Sequence, residues 1–445
     1  MTAEPTHPAP ASEPRRRGSK VLLWLFIFAY VPFLLAHGID ALKQPAVDFP
    51  PLYSATKATF DQGRSPYGEG AFEQQALALG RWVPPFIYPP PSLLVVYPLH
   101  FFSYDGAKAM MLVVNHLCLI FASVFMLRSL FREEFARIPH QLGGALAIVY
   151  ILLFDPAVVT LQLGQVNLLL LVCLCLMWHA LKRNGSALAI AIPLSLAIVI
   201  KTYPGLLVLL LITCRRYKAA GLTLALYAVY CAASHLLLPS GIWSDWLIKV
   251  LPNGDEAHPG PWNQNIRAFI ARTFMPNGFS EALLPMPALV KPSIMLLSLC
   301  VLGATVWVSY RAWRKPNGTR RVDLLTSLYL FTMFLIAPVS WEHHFIYLLP
   351  CLVLVLLMLL SGEVQGQWRW IIALSLCLIA WRLPIFGEGL RKGPWVLLIS
   401  AKFYPAVALW IFFFVRALRD SSSADNRDPA HDISQPDSAL ATAAV

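Results

Sequence analysis

Apolar runs recur along the chain from residue 21 almost to residue 418, broken by short connections in which the charged residues gather. A helix needs roughly 20 predominantly apolar residues to cross the hydrocarbon of a bilayer, so the pattern predicts a polytopic, all-α membrane protein. Helices are expected near residues 20–38, 106–129, 141–161, 164–182, 186–201, 203–214, 218–238, 286–311, 323–339, 342–360, 368–384 and 394–418, about twelve spans with both termini on the same side. The pair 186–201 and 203–214 is short for two crossings. Residues 88–102 are also apolar, but Pro89, Pro90 and Pro91 oppose a regular helix start, and the stretch reads as an element lying on the membrane surface. Residues 1–20 and 419–445, rich in polar and small residues, read as disordered tails around a transmembrane domain at 21–418.

Composition agrees: of 445 residues, 57% are hydrophobic and 13% charged, against about half and a quarter in soluble domains. The net charge of +11 invites a nucleic-acid reading, which the placement of the basic residues removes. They cluster in alternate connections: Arg15, Arg16, Arg17 and Lys20; Arg128, Arg132 and Arg137; Lys182 and Arg183; Arg215, Arg216 and Lys218; Arg311, Arg314, Lys315, Arg320 and Arg321; Arg416 and Arg419. The connections around Gly164 and Glu342 have no Lys or Arg. That alternation is the positive-inside pattern. It places the tails in the cytoplasm and leaves two long outer loops, about 40–105 and 239–285. Counting 88–102 as a span would reverse the bias of every later loop.

All eight cysteines fall in or at the ends of apolar segments, so neither disulfides nor a zinc site are expected. The first apolar run has the basic flank of a signal peptide without a small-residue cleavage pattern, and residues 21–36 should stay as the first helix. No internal repeat is evident, which weighs against transporter folds built from paired halves.

The first outer loop opens with Val47-Asp48-Phe49 and continues through Tyr53 to Gly63-Arg64-Ser65-Pro66-Tyr67. By residue type alone, Asp48 is a surface carboxylate, a helix cap before Pro50 and Pro51, or a functional group. Its context resembles the opening of glycosyltransferase family 87: an Asp-Phe pair after the first helix, a Gly-x-x-Pro-Tyr turn, then Phe86-Ile87-Tyr88-Pro89-Pro90 running into Tyr97-Pro98-Leu99. Further matches follow in order: Gly164-Gln165-Val166-Asn167, Lys201-Thr202-Tyr203-Pro204, Asn263-Gln264-Asn265 with Arg267 and Arg272, and Pro338-Val339-Ser340-Trp341-Glu342-His343-His344. Asn265 departs from the pattern, standing where a small hydroxyl residue is expected.

The resemblance implies a C-type glycosyltransferase fold in the cell membrane. It implies a polyprenyl-phosphate hexose as donor, mannose first among the hexoses, and a glycolipid or lipid-linked glycan as acceptor on the extracytoplasmic side. It implies a metal-independent reaction without cofactor, and the cytoplasmic loops hold no Asp-x-Asp motif. Asp48 is then the general base of an inverting transfer, which needs one carboxylate where a double displacement needs two. Asp155 and Glu342 are its rivals near the outer face, Asp155 being tied by Pro156 to a kink. Lys201, Arg267, His343 and His344 are the candidates for the departing phosphate, where charge builds up. Lys201 also fits a snorkelling lysine, Arg267 and Arg272 fit lipid head groups, and either histidine fits a structural role. A metal held by the histidines and Glu342 is disfavoured, since adjacent helical residues point about 100° apart. Gln165, Asn167, Asn263 and Gln264 are candidates for sugar or acceptor hydroxyls. Gln165 and Asn167 fit helix capping or helix bridging equally well. Tyr53, Tyr88 and Trp341 either stack on a sugar or sit in the interfacial aromatic belt. Two rival readings keep the same outer loops: a transporter or flippase of lipid-linked sugars, and an oligosaccharide ligase or polymerase.

Overall fold

Everything regular in the computed structural model is helical; the β pairing among the described residues is two isolated bridges, Asn263 with Trp341 and Asn277 with Ser280. The structure describes residues 24–67, 77, 80, 83–138, 140–252, 257–313, 318–385 and 387–422. The tail at 1–20, the tail beyond 422 and the basic residues Arg314 and Lys315 lie outside the described residues.

In chain order the helices are α1 (Trp24–Lys43), α2 (Phe49–Phe60), α3 (Ser92–Phe101) and α4 (Tyr104–Leu130), α5 (His140–Leu152), α6 (Asp155–Leu163), α7 (Asn167–Lys182) and α8 (Ala187–Ile200). Then come α9 (Tyr203–Thr213) and α10 (Tyr217–Leu237), α11 (Ile266–Phe274), α12 (Pro287–Trp313), α13 (Thr319–Ile336), α14 (Glu342–Leu360), α15 (Trp368–Ala380) and α16 (Gly393–Ser400), and α17 (Phe403–Ser422). Among the described residues, six apolar helices are long enough to cross a membrane: α1, α4, the stretch Gly143–Leu163 across α5 and α6, α10, α12 and α14. The pair α16 and α17, bent by 55°, makes a seventh. Helices α7, α8, α9 and α15 are shorter, at 10–17 residues. Each of the twelve segments expected from the apolar pattern falls on a helix, while six or seven have the length and composition of full spans.

Local chemistry explains the ends that bear on the site. Ser103 accepts from Gly106 N at 3.3 Å at the start of α4, with Asp105 in the first turn, and Ser186 accepts from Ala189 N at 3.2 Å before α8. Both are N-caps that satisfy an otherwise orphaned amide. Phe154 breaks the α5–α6 run with an extended ψ of 93°, and Pro156 sits in the first turn of α6, where its missing N–H loses nothing. The same logic starts α2. Pro50 and Pro51, inside the outer loop expected from sequence, occupy its first turn and open a twelve-residue helix, one of the readings left open for the residues after Asp48.

Helix α7 runs through the interior, against α4, α8, α13 and α14. Its C-terminal end is fastened by a buried ion cluster: Lys182 Nζ lies 2.8 Å from Glu134 Oε1 and 2.7 Å from Asp323 Oδ2, and Trp178 Nε1 donates to Asp323 Oδ1 at 2.8 Å. A second apolar cluster, with Phe49, Leu52, Ala55, Tyr67, Phe86, Leu93, Leu99, Met111, Val166 and Ile200, packs α2 and α3 onto the ends of α4 and α8. The expected outer loop is therefore a small folded layer.

Candidate active site

Four connections converge where this outer layer meets the helix ends: the entry to α2, the α6–α7 turn, the α8–α9 link and the start of α14. Asp48 stands at the N-cap position of α2 but makes no side-chain cap there. Its carboxylate turns toward the α6–α7 turn, where Gln165 Nε2 donates to Oδ2 at 2.8 Å. Gln165 is itself held at both ends: Tyr88 OH donates to its Oε1 at 2.8 Å, and Asn115 Nδ2 donates to its carbonyl at 2.8 Å. The Tyr88 carbonyl in turn accepts from Tyr67 OH.

The close approach depends on Gly164. It closes α6 in the left-handed region at φ 68°. A Cβ there would lie 2.7 Å from Phe49 Cβ and 3.5 Å from Ala46 Cβ. Glycine is favoured for both reasons, backbone and space.

On the far side of Asp48, His343 Nε2 lies 3.9 Å from Oδ2, beyond hydrogen-bonding distance, and has no hydrogen-bond partner among the described residues. Behind it, Lys201 Nζ lies 3.2 Å from His344 Nε2 and donates to Tyr347 OH at 3.1 Å. Tyr347 OH passes a hydrogen bond to Asn167 Oδ1 at 2.6 Å. The rings of Tyr88, Tyr203 and Tyr347 lie 5.4–5.9 Å from the ammonium, within cation–π range. Lys201 is 8% exposed. Snorkelling requires a charged head in water, and this one is held inside, against a ring nitrogen and a phenol oxygen rather than a carboxylate.

Asp48 is not the exposed loop carboxylate that its sequence context suggests: its side chain is 27% exposed. Burial raises its pKa above the ordinary aspartate value, with the Gln165 hydrogen bond and the Lys201 charge pulling the other way. The carboxylate is thereby a stronger base than an aspartate in water.

The rival carboxylates are differently placed. Asp155 Oδ1 is paired with Arg382 at 2.9 Å, and Glu342 Oε2 lies 3.7 Å from the fully buried Lys402.

Of the sequence candidates, the structure thus brings together Asp48, Tyr88, Gln165, Asn167, Lys201, His343 and His344. Others serve other contacts. Tyr53 OH donates to the Phe102 carbonyl at 3.1 Å. Asn263 Oδ1 accepts from Ser340 N at 2.8 Å, and Asn263 bridges to Trp341. Gln264 Nε2 donates to Ile399 O at 2.9 Å while its Oε1 accepts from Phe403 N at 3.0 Å. These two amides tie the segment before α11 to the extended residues before α14 and to the α16–α17 bend. Arg267 lies in the first turn of α11. Arg272 is fully buried and donates to the carbonyls of Pro259, Gly260 and Asn263 at 2.9–3.1 Å and to Ser400 Oγ. Its guanidinium is thus committed mainly to interior acceptors, away from the surface where lipid head groups lie. Asn265 caps α11, accepting from Ala268 N at 3.0 Å; a small hydroxyl residue caps equally well, which accounts for the departure at this position. Sequence reading missed Tyr347 and Asn115. Tyr347 was within reach of it, since it follows His344 by three residues on the same helix face.

A model of glycosyltransferase family 87 matches residues 86–338, more than half of the chain. The chain belongs to glycosyltransferase family 87. The family match covers Tyr88, Gln165, Asn167, Lys201 and Arg267, while Asp48 and the histidine pair flank it. Among curated relatives in the same family of activities, a polyprenol-phosphate-mannose-dependent alpha-(1-2)-phosphatidylinositol pentamannoside mannosyltransferase of Mycolicibacterium smegmatis is 26% identical over 342 residues, covering 74% of this chain and 77% of the relative. A polyprenol-phosphate-mannose-dependent alpha-(1-2)-phosphatidylinositol mannoside mannosyltransferase of Mycobacterium tuberculosis is 24% identical over 314 residues, 68% of this chain and 69% of the relative. Among solved structures, the crystal structure of ArnT from Cupriavidus metallidurans bound to undecaprenyl phosphate aligns with a TM-score of 0.38 at 11% identity, over 88% of this chain and 77% of that one.

Proposed function

We propose that this family 87 enzyme transfers a mannosyl group from a polyprenyl-phosphate donor to a glycolipid acceptor at the extracytoplasmic face of the cell membrane, with inversion. The observation that carries the reading is the placement of one partly buried carboxylate, Asp48, 3.9 Å from the unpartnered Nε2 of His343, beside the Lys201 cluster. The donor preference rests on the activities of the two mannosyltransferase relatives. The C-type architecture with about twelve crossings and cytoplasmic termini rests on the helix order and on the alternation of basic connections.

In this mechanism the acceptor hydroxyl lies between Asp48 and the sugar. Its oxygen attacks the anomeric carbon, the bond from that carbon to the phosphate oxygen breaks, and the hydroxyl proton passes to Asp48. The phosphate goes from a singly charged diester to a monoester with further negative charge. Lys201 is the group suited to that change: Nζ has three protons, and the two contacts described leave one for a phosphate oxygen. His343 flanks it as a further donor, His344 holds the ammonium through Nε2, and Arg267 completes the set at the membrane surface. Gln165 orients the base and Asn167, through Tyr347, orients the ammonium. Tyr88 and Trp341 offer aromatic faces to sugar and Tyr53 to the acceptor; Asn263 and Gln264 act by holding the segment that carries Trp341. The reaction uses neither metal nor cofactor.

The test is Asp48→Asn, which keeps the shape and removes the basicity. General-base assistance contributes about 10² to 10⁴ in rate, so turnover with radiolabelled polyprenyl-phosphate mannose and extracted membrane lipids should fall at least about a hundredfold. Retention of more than a tenth of wild-type turnover moves the base elsewhere. Incorporation of label only from lipid pyrophosphate donors would support the ligase reading, and movement of label across the membrane without transfer would support the flippase.

A further inference from the structure

Glu363, just beyond the far end of α14 from His343, is approached by three guanidinium groups. Arg137 Nη1 lies 2.9 Å from its Oε1, Arg320 Nη2 contacts Oε2, and Arg416 Nη2 lies 4.0 Å from Oε2. Beside them is a cavity of about 310 Å³ lined by Glu363, Gln365, Trp368, Phe412, Arg416 and Arg419. One carboxylate does not balance three arginines, and Arg416 Nε and Arg320 Nη1 are buried without a hydrogen-bond acceptor among the described residues. A buried donor without an acceptor carries a desolvation penalty. A ligand that brings oxygen acceptors and negative charge removes it.

The surroundings identify the source of that ligand. The nineteen residues of α14 are at least about 28 Å long, so the cavity and Asp48 lie at opposite membrane surfaces. Trp370 is 74% exposed and Leu374 60% exposed on α15, the marks of an interfacial anchor and of a helix face in contact with acyl chains. The cavity itself has apolar walls, Trp368 and Phe412, under a basic rim. We infer that this cavity holds the head-group phosphate of an anionic phospholipid from the leaflet opposite the active site, with Arg416 and Arg419 on the phosphate and the acyl chains against α15. Basic pockets between spanning helices bind such head groups elsewhere. This inference rests on the membrane-spanning fold and not on the assignment of Asp48.

Native mass spectrometry of the full chain, titrated with phosphatidylglycerol and with phosphatidylcholine, tests it. Phosphatidylglycerol should be retained at a single site at least about tenfold more tightly, the discrimination expected of a site that pairs charge with charge. Each arginine is worth about fivefold, so Arg416→Gln with Arg419→Gln should weaken retention roughly thirtyfold, while Arg416→Lys with Arg419→Lys stays close to wild type. Equal retention of the two lipids, an unchanged Gln pair, or displacement of the lipid by millimolar inorganic phosphate overturns the proposal, the last by showing a site for free anions. Should the Gln pair fail to fold, quenching by brominated phosphatidylglycerol in the otherwise native protein decides. Quenching must exceed that by brominated phosphatidylcholine, and the excess must vanish in Trp368→Phe. Survival of the excess in that variant places the lipid elsewhere.

Discussion

Gly164 is where the geometry of the proposed base is most exposed to a single methyl group. An alanine there must adopt φ 68° and place its Cβ 2.7 Å from Phe49 Cβ. Ordinary contact begins at 3.4 Å, so one segment must retreat by at least about 0.7 Å, and Phe49 Cβ cannot yield without moving its backbone. Phe49 is bonded to Asp48. A retreat of that size stretches the 2.8 Å bond from Gln165 to Asp48 past useful length. Misplacement by about 1 Å costs on the order of a hundredfold in rate, so Gly164→Ala should lower turnover by about 10- to 100-fold. The left-handed backbone should cost a further roughly 1–2 kcal/mol of stability. Turnover is read with both substrates saturating, on monodisperse protein, beside its thermal unfolding. Gly164→Asn separates the two causes, because asparagine tolerates the left-handed region yet still carries a Cβ. It should recover stability and stay slow. Wild-type turnover in both variants would show that the α6–α7 turn does not position the base.

Three further outcomes follow from the same structure. Turnover needs Asp48 as carboxylate and falls as pH drops through its raised pKa; the Lys201 charge lowers that pKa, so Lys201→Gln should move the acid limb of the pH–turnover profile to higher pH, and an unmoved limb would reject the coupling. Lys182→Met leaves the buried carboxylates of Glu134 and Asp323 without their shared cation and should lower stability by about 3–5 kcal/mol in thermal or denaturant unfolding, with turnover per folded molecule unchanged. Single cysteines at the exposed positions Arg64 and Lys218, in a background without native cysteines, should label only from outside and only from inside respectively; labelling of Arg64→Cys from the cytoplasm reverses the topology.

Much of this architecture was legible in the apolar runs, because helices in lipid must satisfy their own backbone and so announce themselves by length. The candidate cluster was legible too, as ordered motifs on four separate connections. What escaped was set by contacts between distant segments. At Pro50 and Pro51 a helix start stayed one alternative among several, because a proline pair starts or breaks a helix according to which residues precede it. Asn263 and Gln264 read as sugar ligands because an amide offers the same donor and acceptor to a hydroxyl as to a backbone, and only the fold shows Ser340, Ile399 and Phe403 in reach. Lys402 gave no signal at all. Its partner Glu342 lies sixty residues away on another helix.

That pairing bears on which carboxylate takes the proton. Glu342 adjoins His343 in sequence, and on position alone it competes with Asp48. Its nearest charge is Lys402, which is fully buried, and Asp155 nearby is already matched by Arg382. Protonating Glu342 strands the buried Lys402 cation, at a cost of about 3–5 kcal/mol. Asp48 makes no direct ion pair: an amide holds it, its nearest ring nitrogen stands 3.9 Å away, and the Lys201 charge acts on it from beyond salt-bridge distance. Glu342→Gln should therefore destabilise the protein by roughly 3–5 kcal/mol while the folded fraction keeps turnover within about tenfold of wild type, well short of the loss expected for a general base. A second variant, Glu342→Leu with Lys402→Met, removes both charges and should recover stability without changing turnover further. The measurement is turnover per folded molecule below the unfolding transition of each variant. A loss beyond a hundredfold in Glu342→Gln, together with substantial activity in Asp48→Asn, would exchange the two roles and make Lys402 the partner of a catalytic glutamate.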